Sequence, residues 1–382
     1  MPSERHYLDH ASTSPIRPEA AREVRAWLDE AVSGDPGRVH EEGRAARGAI
    51  EDARADVAAW LGTRPARIVF TSGATESVNA AVSGAARAAP GRPIVVADVE
   101  HSCVRDASSR VAPVLAWRVD RLGRVDLGHL DELVSGGGDD RPALVNCQLA
   151  NHEVGTVQPV SEVVARCRSA GVMVHVDAAA GAGYLGLDLE GLGADLVSLS
   201  GHKLGAPPGT GLLYVRQGLR LDPLIVGGSQ ERARRAGMEN VPAIAGLGAV
   251  ARALAATGAL AEAAGTARAQ TDALAAACSG VGDTVVLGDP DTRAPHLVAL
   301  AIGGVRAEAV LLGLDRAGIA AHSGSACSSE SIEPSPVLAA MGVDPDISLR
   351  LSVGWSTEDA DVTAFAEAIG PVVSRLRALG DP

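Results

Sequence analysis

Lysine is almost absent from this chain. Of its 34 basic residues, Lys203 alone is not an arginine. A guanidinium keeps its proton, whereas a side-chain amine can lose one and form a Schiff base with an aldehyde. An arginine-biased composition can also leave one stray surface lysine, so other residues must decide. Aromatic residues are nearly as scarce, at 2% of a chain that is 46% hydrophobic, so the core must be built from Ala, Val, Leu and Ile. The five cysteines, Cys103, Cys147, Cys167, Cys278 and Cys327, include no CxxC pair. A disulfide frame and a zinc site are therefore not expected. A basic surface is missing as well. The formal net charge of −13 argues against a direct grip on nucleic acid or on an acidic membrane surface. The one local basic cluster, Glu231–Arg235, reads as a solvated or interface loop. No apolar run approaches the roughly 20 residues of a membrane helix. The opening residues lack a signal-peptide core, so a cytoplasmic protein is the expectation.

What the chain does have is alternation. Apolar runs at Arg67–Thr71, Pro93–Ala97, Ala143–Cys147, Val172–Val176, Leu196–Leu199 and Gly211–Val215 are separated by Ala-rich helical stretches. The pattern predicts an α/β fold with a mostly parallel sheet covered on both faces. Long helices are predicted over Ala245–Ala277, and a further strand at Leu297–Ile302 opens a smaller C-terminal unit. Ligands of such sheets gather beyond the carboxyl ends of strands. Thr75, His101, Asn151, Asp177 and Lys203 all follow strands.

Four of these positions suggest one chemistry. Ser72-Gly73-Ala74-Thr75 lies between a strand and a helix, where free N–H groups bind phosphate, although an ordinary helix cap has the same composition. His101 can stack on a ring and shuttle protons, or simply be a hydrogen-bonded loop histidine. Asp177 can hold a pyridinium proton, or cap the next turn. With Lys203 as Schiff-base former, the set points to pyridoxal 5′-phosphate (PLP). Cys327 lies in a small, polar stretch, His322–Ser331, and is a candidate nucleophile. Cys103, two residues from His101, is the only other cysteine of interest. Arg350 suits an amino-acid carboxylate, although a surface ion pair is the commoner fate of an arginine.

Together these segments resemble the NifS/IscS-type PLP-dependent cysteine desulfurases of the class-V aminotransferase group, nearly end to end. Tyr7–Pro15 resembles YLDNNATTP, and His40 with Gly43 fits HxxG. Phe70–Glu76 resembles FTSGGTE, Glu100-His101 matches EH, and Asn151–Gly155 resembles NNEIG. His175–Ala178 matches HVDA, Ser200–Lys203 resembles SxHK, Ser323–Cys327 matches SGSAC, and Arg350–Gly354 resembles RxSxG. The resemblance implies a PLP-dependent transferase of fold type I. A large domain over 16–255 would hold a mostly parallel seven-stranded sheet. A small α/β domain over 1–15 and 256–382 would carry the Cys327 loop.

The resemblance also implies roles. Lys203 would anchor PLP and move the substrate proton, His101 would stack on the ring, and Asp177 would pair with its nitrogen. The segment Ser72, Gly73, Ala74 and Thr75, with Ser200 and His202, would bind phosphate. Arg350, Asn151 and His152 would contact substrate, and His152 also the cofactor. Cys327 would take sulfur from L-cysteine as a persulfide, release alanine and pass the sulfur to an acceptor protein. A homodimer is implied by a site that spans subunits. Three positions depart from the family: Ala180 stands for a glutamine, His152 for the second Asn of NNE, and Met238 for a threonine that reaches the neighbouring subunit's phosphate. These departures predict weaker PLP retention. Rival readings are a selenocysteine lyase or another PLP-dependent C–S lyase, and a sulfur-relay scaffold without turnover. Among acceptor pathways, which include iron–sulfur clusters and tRNA thiolation, the Asn151–Glu153 and Ser323–Ser331 segments most resemble the desulfurase of DNA phosphorothioation.

Overall fold

The computed structural model describes residues 5–29, 34–323 and 334–380. Its larger sheet has seven strands in the order Ile68–Thr71, Gly211–Val215, Leu196–Ser200, Met173–Asp177, Leu144–Gln148, Ile94–Ala97 and Val114–Trp117. All run parallel except Gly211–Val215, which is antiparallel to both neighbours. The inner strands are buried on both faces, which is why their sequences are continuously apolar rather than alternating. Strand period two still sorts their side chains. Val95, Val145, Val174 and Val197 pack on one face with helices Glu41–Trp60, Val160–Ala170 and Val241–Leu254. Ile94, Val96, Leu144 and Leu196 pack on the other with helices Ala74–Ala88 and Ser102–Val111.

A second, antiparallel sheet orders His322–Ser323, Ser348–Ser352, Leu297–Ile302 and Thr284–Leu287. Helices Ala259–Ser279, Ala307–Arg316 and Asp359–Ala378 share its apolar core, which also includes Leu8. The N-terminal strand His6–Tyr7 pairs in parallel with Ile319–Ala320, so the chain's first residues belong spatially with its last third. The predicted Ala245–Ala277 helices are two, Val241–Leu254 and Ala259–Ser279, bent by 85° at the break. No single helix among the described residues is long and apolar enough to cross a membrane. Besides the two-residue strands His6–Tyr7, Ile319–Ala320 and His322–Ser323, three longer strands escaped the sequence reading: Val114–Trp117, Thr284–Leu287 and Ser348–Ser352. The first two are sheet edges with exposed side chains, so their apolar pattern is weak. The third is short and interrupted by Arg350.

Candidate active site

A cavity of about 380 Å³ opens at the carboxyl ends of the central strands. One wall is the start of helix Ala74–Ala88. Gly73 precedes it in an extended conformation and offers no side-chain cap, so the first N–H groups of the helix point at whatever occupies the cavity. The turn can sit there because Gly211 has no side chain: a Cβ at Gly211 would come within 2.5 Å of Gly73 Cα. The turn is fixed from outside. Glu76 accepts a hydrogen bond from the Ser72 N–H at 2.9 Å and pairs with Arg235 at 3.0 Å. Ser72, Gly73, Ala74 and Thr75 all line the cavity, as do Ser200 and His202 across from them.

Lys203 lines the floor from a single 3-10 turn, His202–Leu204, directly after strand Leu196–Ser200. Gly205 ends the turn at φ 82, in the left-handed region, where a side chain would also meet Arg17 at 2.7 Å. The N-terminal segment buttresses it: Ser14 N–H donates to His202 O at 3.0 Å and Arg17 N–H to Gly205 O at 2.8 Å. Burial, reinforced by the Lys203 charge, lowers the pKa of His202, and its Nδ1 lies 3.1 Å from Thr13 Oγ1.

Asp177 ends its strand facing the same cavity. Its Oδ1 accepts from the Ala179 N–H at 3.0 Å and from the Ser198 hydroxyl at 3.2 Å. Nearby Glu100 is wholly buried. That burial, with the Asp177 charge added, pushes its pKa up to about 8, although the Gln148 N–H and Arg105 act the other way. That value favours the protonated form of Glu100 at pH 7.

His101 caps helix Ser102–Val111: its Nδ1 accepts the Cys103 N–H at 3.1 Å and lies 3.1 Å from Cys103 Sγ. It also meets His152 edge-on, ring centroids 5.0 Å apart, so two imidazoles share the cavity wall. Arg350 is 1% exposed and reaches the cavity from the smaller sheet. It is not the surface ion pair that is the usual fate of an arginine. Its Nη2 donates to Asp9 Oδ1 at 2.8 Å and to Ser12 Oγ at 2.6 Å, and its Nη1 to His152 O at 2.9 Å. Its buried Nε has no hydrogen-bond partner among the described residues.

One expectation needs correction. Asn151 does not line the cavity. It is 1% exposed, its Oδ1 accepts the N–H groups of Glu153 and Val154, and its Nδ2 donates to Val99 O. Asn151 builds the turn that presents His152. Cys327 lies outside the described residues. Sequence reasoning missed Asp9 and Ser12, which orient Arg350. It also missed Ser198 and His175, which stand behind Asp177; only the alternation of their strands could have placed them on its face.

The donor set fits PLP: anion-binding N–H groups, a carboxylate for a ring nitrogen, and the only side-chain amine of the chain, all in one cavity. The class-V aminotransferase family model matches residues 6–365. The chain belongs to that family. Within it, the chain is of the NifS/IscS type, whose members use PLP. It is 36% identical to cysteine desulfurase IscS 1 of Archaeoglobus fulgidus over 98% of each chain. A solved NifS-like protein superposes with a TM-score of 0.88 at 30% identity, covering 97% of this chain and all of the other. SspA, solved in complex with cysteine, superposes with a TM-score of 0.80 at 27% identity, over 91% of this chain and 99% of SspA.

Proposed function

We propose that this protein is a cysteine desulfurase that converts L-cysteine to L-alanine and holds the sulfur as a Cys327 persulfide. The observation that carries this reading is the convergence of Lys203, Asp177 and Arg350 on one cavity. When bound, PLP supplies an electron sink that makes the bonds around the substrate Cα and Cβ labile. Asp177 would keep that sink effective by meeting the ring nitrogen. The N–H groups at Gly73–Thr75, with Ser200 and His202, would hold the phosphate. His101 would stack on the ring, and His152, edge-on to it, would contact the cofactor from the same wall.

Arg350 orients the substrate through its carboxylate. Asp9 and Ser12 fix the guanidinium beforehand, which lowers the ordering cost on binding. Lys203 Nζ moves the proton at the substrate Cα. The Cys327 thiolate attacks the substrate sulfur; the new S–S bond forms as the Cβ–S bond breaks. The electron pair stays on the alanine skeleton, which then takes a proton at Cβ.

The sulfur acceptor is read as a protein, because a net charge of −13 disfavours nucleic acid at close range. A homodimer would bring Met238, exposed on its loop, toward the partner's phosphate site, where it lacks the donor of the family threonine. Sulfur supply for DNA phosphorothioation rests on resemblance alone; deletion of the gene should then remove phosphorothioate linkages from genomic DNA.

The enzymatic test is alanine and sulfide release from L-cysteine, with a thiol reductant, by PLP-loaded wild type and Cys327→Ser. Wild type should form both products, and the variant should lose both by about 100-fold or more. Equal rates would remove Cys327 as nucleophile and favour a β-elimination enzyme. Selenocysteine turnover that survives the substitution would favour a lyase.

A further inference from the structure

Asp177 is the end of a buried polar row that runs across three central strands. Ser198 Oγ lies 3.2 Å from Asp177 Oδ1 and 3.1 Å from His175 Nε2, and His175 Nδ1 lies 2.9 Å from Asn146 Oδ1. Ser198, His175 and Asn146 have no exposed surface. Strand register explains the row: Asn146 sits opposite His175, and Asp177 opposite Ser198, so all four side chains fall on one face.

The protons of this row can be counted. A carboxylate only accepts, so an ionised Asp177 takes the single hydroxyl proton of Ser198. Ser198 Oγ can then only accept from His175, so the imidazole must carry its proton on Nε2. Its Nδ1 then accepts from the Asn146 amide, turned so that Nδ2 faces the ring and exchanges a long 3.5 Å bond to Val95 O for one of 2.9 Å to the imidazole. Burial drives the His175 pKa down to about 4, against the pull of Asp177, so the ring has one proton to place and not two. Glu100 also faces this region, with Arg105 beside it, and its protonated form is favoured at pH 7.

We propose that His175 is a positioning residue: as its Nε2–H tautomer, relayed by Ser198, it holds Asp177 as the carboxylate that meets the PLP ring nitrogen. This rests on the reading of the cavity as a PLP site. Among the described residues, the hydrogen bonds to Asp177 from Ser198 and from the Ala179 N–H both fall on Oδ1, which leaves Oδ2 for the ring. A row buried only for packing would leave the cofactor indifferent to the Ser198 hydroxyl.

The test is nitrogen-15 NMR of histidine-labelled, PLP-loaded protein, with Ser198→Ala and the hydroxyl-retaining Ser198→Thr. The wild type should show His175 protonated at Nε2. Ser198→Ala should shift the pH titration of the cofactor's visible band and raise the PLP dissociation constant about tenfold. Ser198→Thr should recover both. His175 protonated at Nδ1 in the loaded wild type overturns the proposal without need of any variant. So does a Ser198→Ala protein with the wild-type spectrum and affinity. Cysteine turnover enters neither readout, so the desulfurase reading fails or stands separately.

Discussion

The cavity has two walls of different origin. The strand-end wall takes Thr75, Asp177 and Lys203 from the larger sheet, each within a few residues of an apolar strand. The opposite wall takes Arg350 from the smaller sheet, and its partners Asp9 and Ser12 lie 341 and 338 residues away in the chain. The first wall is positioned locally, by strand ends and tight turns. The second exists only when the N-terminal segment packs against strand Ser348–Ser352, where Ser352 N–H donates to Leu8 O at 2.8 Å. The two walls should therefore fail in different ways. Damage to the first removes chemistry and spares the fold, whereas damage to the second costs binding and stability together.

The largest separation is expected for Lys203→Ala. Alanine formation should fall by about 10³-fold or more, since both cofactor anchor and proton carrier are lost. The unfolding midpoint of the PLP-free protein should barely move. Amino-acid analysis of the reaction and urea denaturation of the same sample check both halves. A large stability loss would break the distinction between the walls. Arg350→Ala comes next. The KM for L-cysteine should rise about 100-fold, and removing one member of a buried ion pair should cost about 3 kcal/mol. Steady-state kinetics with urea unfolding measure the two effects; a KM change at unaltered stability would contradict the account of the second wall.

A buried acid behind the cavity gives an effect of pH. Glu100 keeps its proton in the folded state to about pH 8, whereas an unfolded glutamate releases it near its ordinary value of 4.5. The folded state thus binds more protons over that window, and stability falls as pH rises through it. His10 and His175 act with the opposite sign at lower pH. Both are buried and pushed down to about 4, so the unfolded chain takes up protons first and stability falls as pH drops from 6.5 toward 4. Glu100→Gln should be more stable than wild type at pH 8, with the advantage shrinking toward pH 5. Thermal melts across that range read it, and a constant offset at every pH would rule out the buried acid as its source. The smallest effect is expected at Ala180, which lines the cavity and stands where the motif that the sequence resembles would place a glutamine. Ala180→Gln should slow PLP loss about threefold to tenfold by adding one hydrogen bond to the cofactor. Unchanged retention would mean that the departure is already compensated, with His152 the nearest replacement.

The same division explains what could be read in advance. The strand-end residues were legible because apolar runs announce where strands stop, and chemistry follows them. Strands Gly211–Val215 and Leu297–Ile302 were placed to the residue for that reason. Motif resemblance supplied Arg350, but not the fact that Asp9 and Ser12 orient it, because nothing local joins positions so far apart. Asn151 was misassigned because a motif position carries no direction. Its side chain turned inward to satisfy backbone N–H groups that would otherwise be buried without partners. The His175–Ser198 row was invisible because polar residues within apolar strands look like interruptions until register aligns them.

The central claim is that one amine in this chain anchors the cofactor, and a single lysine makes it unusually easy to test. PLP-loaded protein should be reduced with borohydride, digested and mapped by mass spectrometry. The account predicts a phosphopyridoxyl mass on the peptide that contains Lys203 and nowhere else. A label on the N-terminal amine, or no retained label, would contradict it.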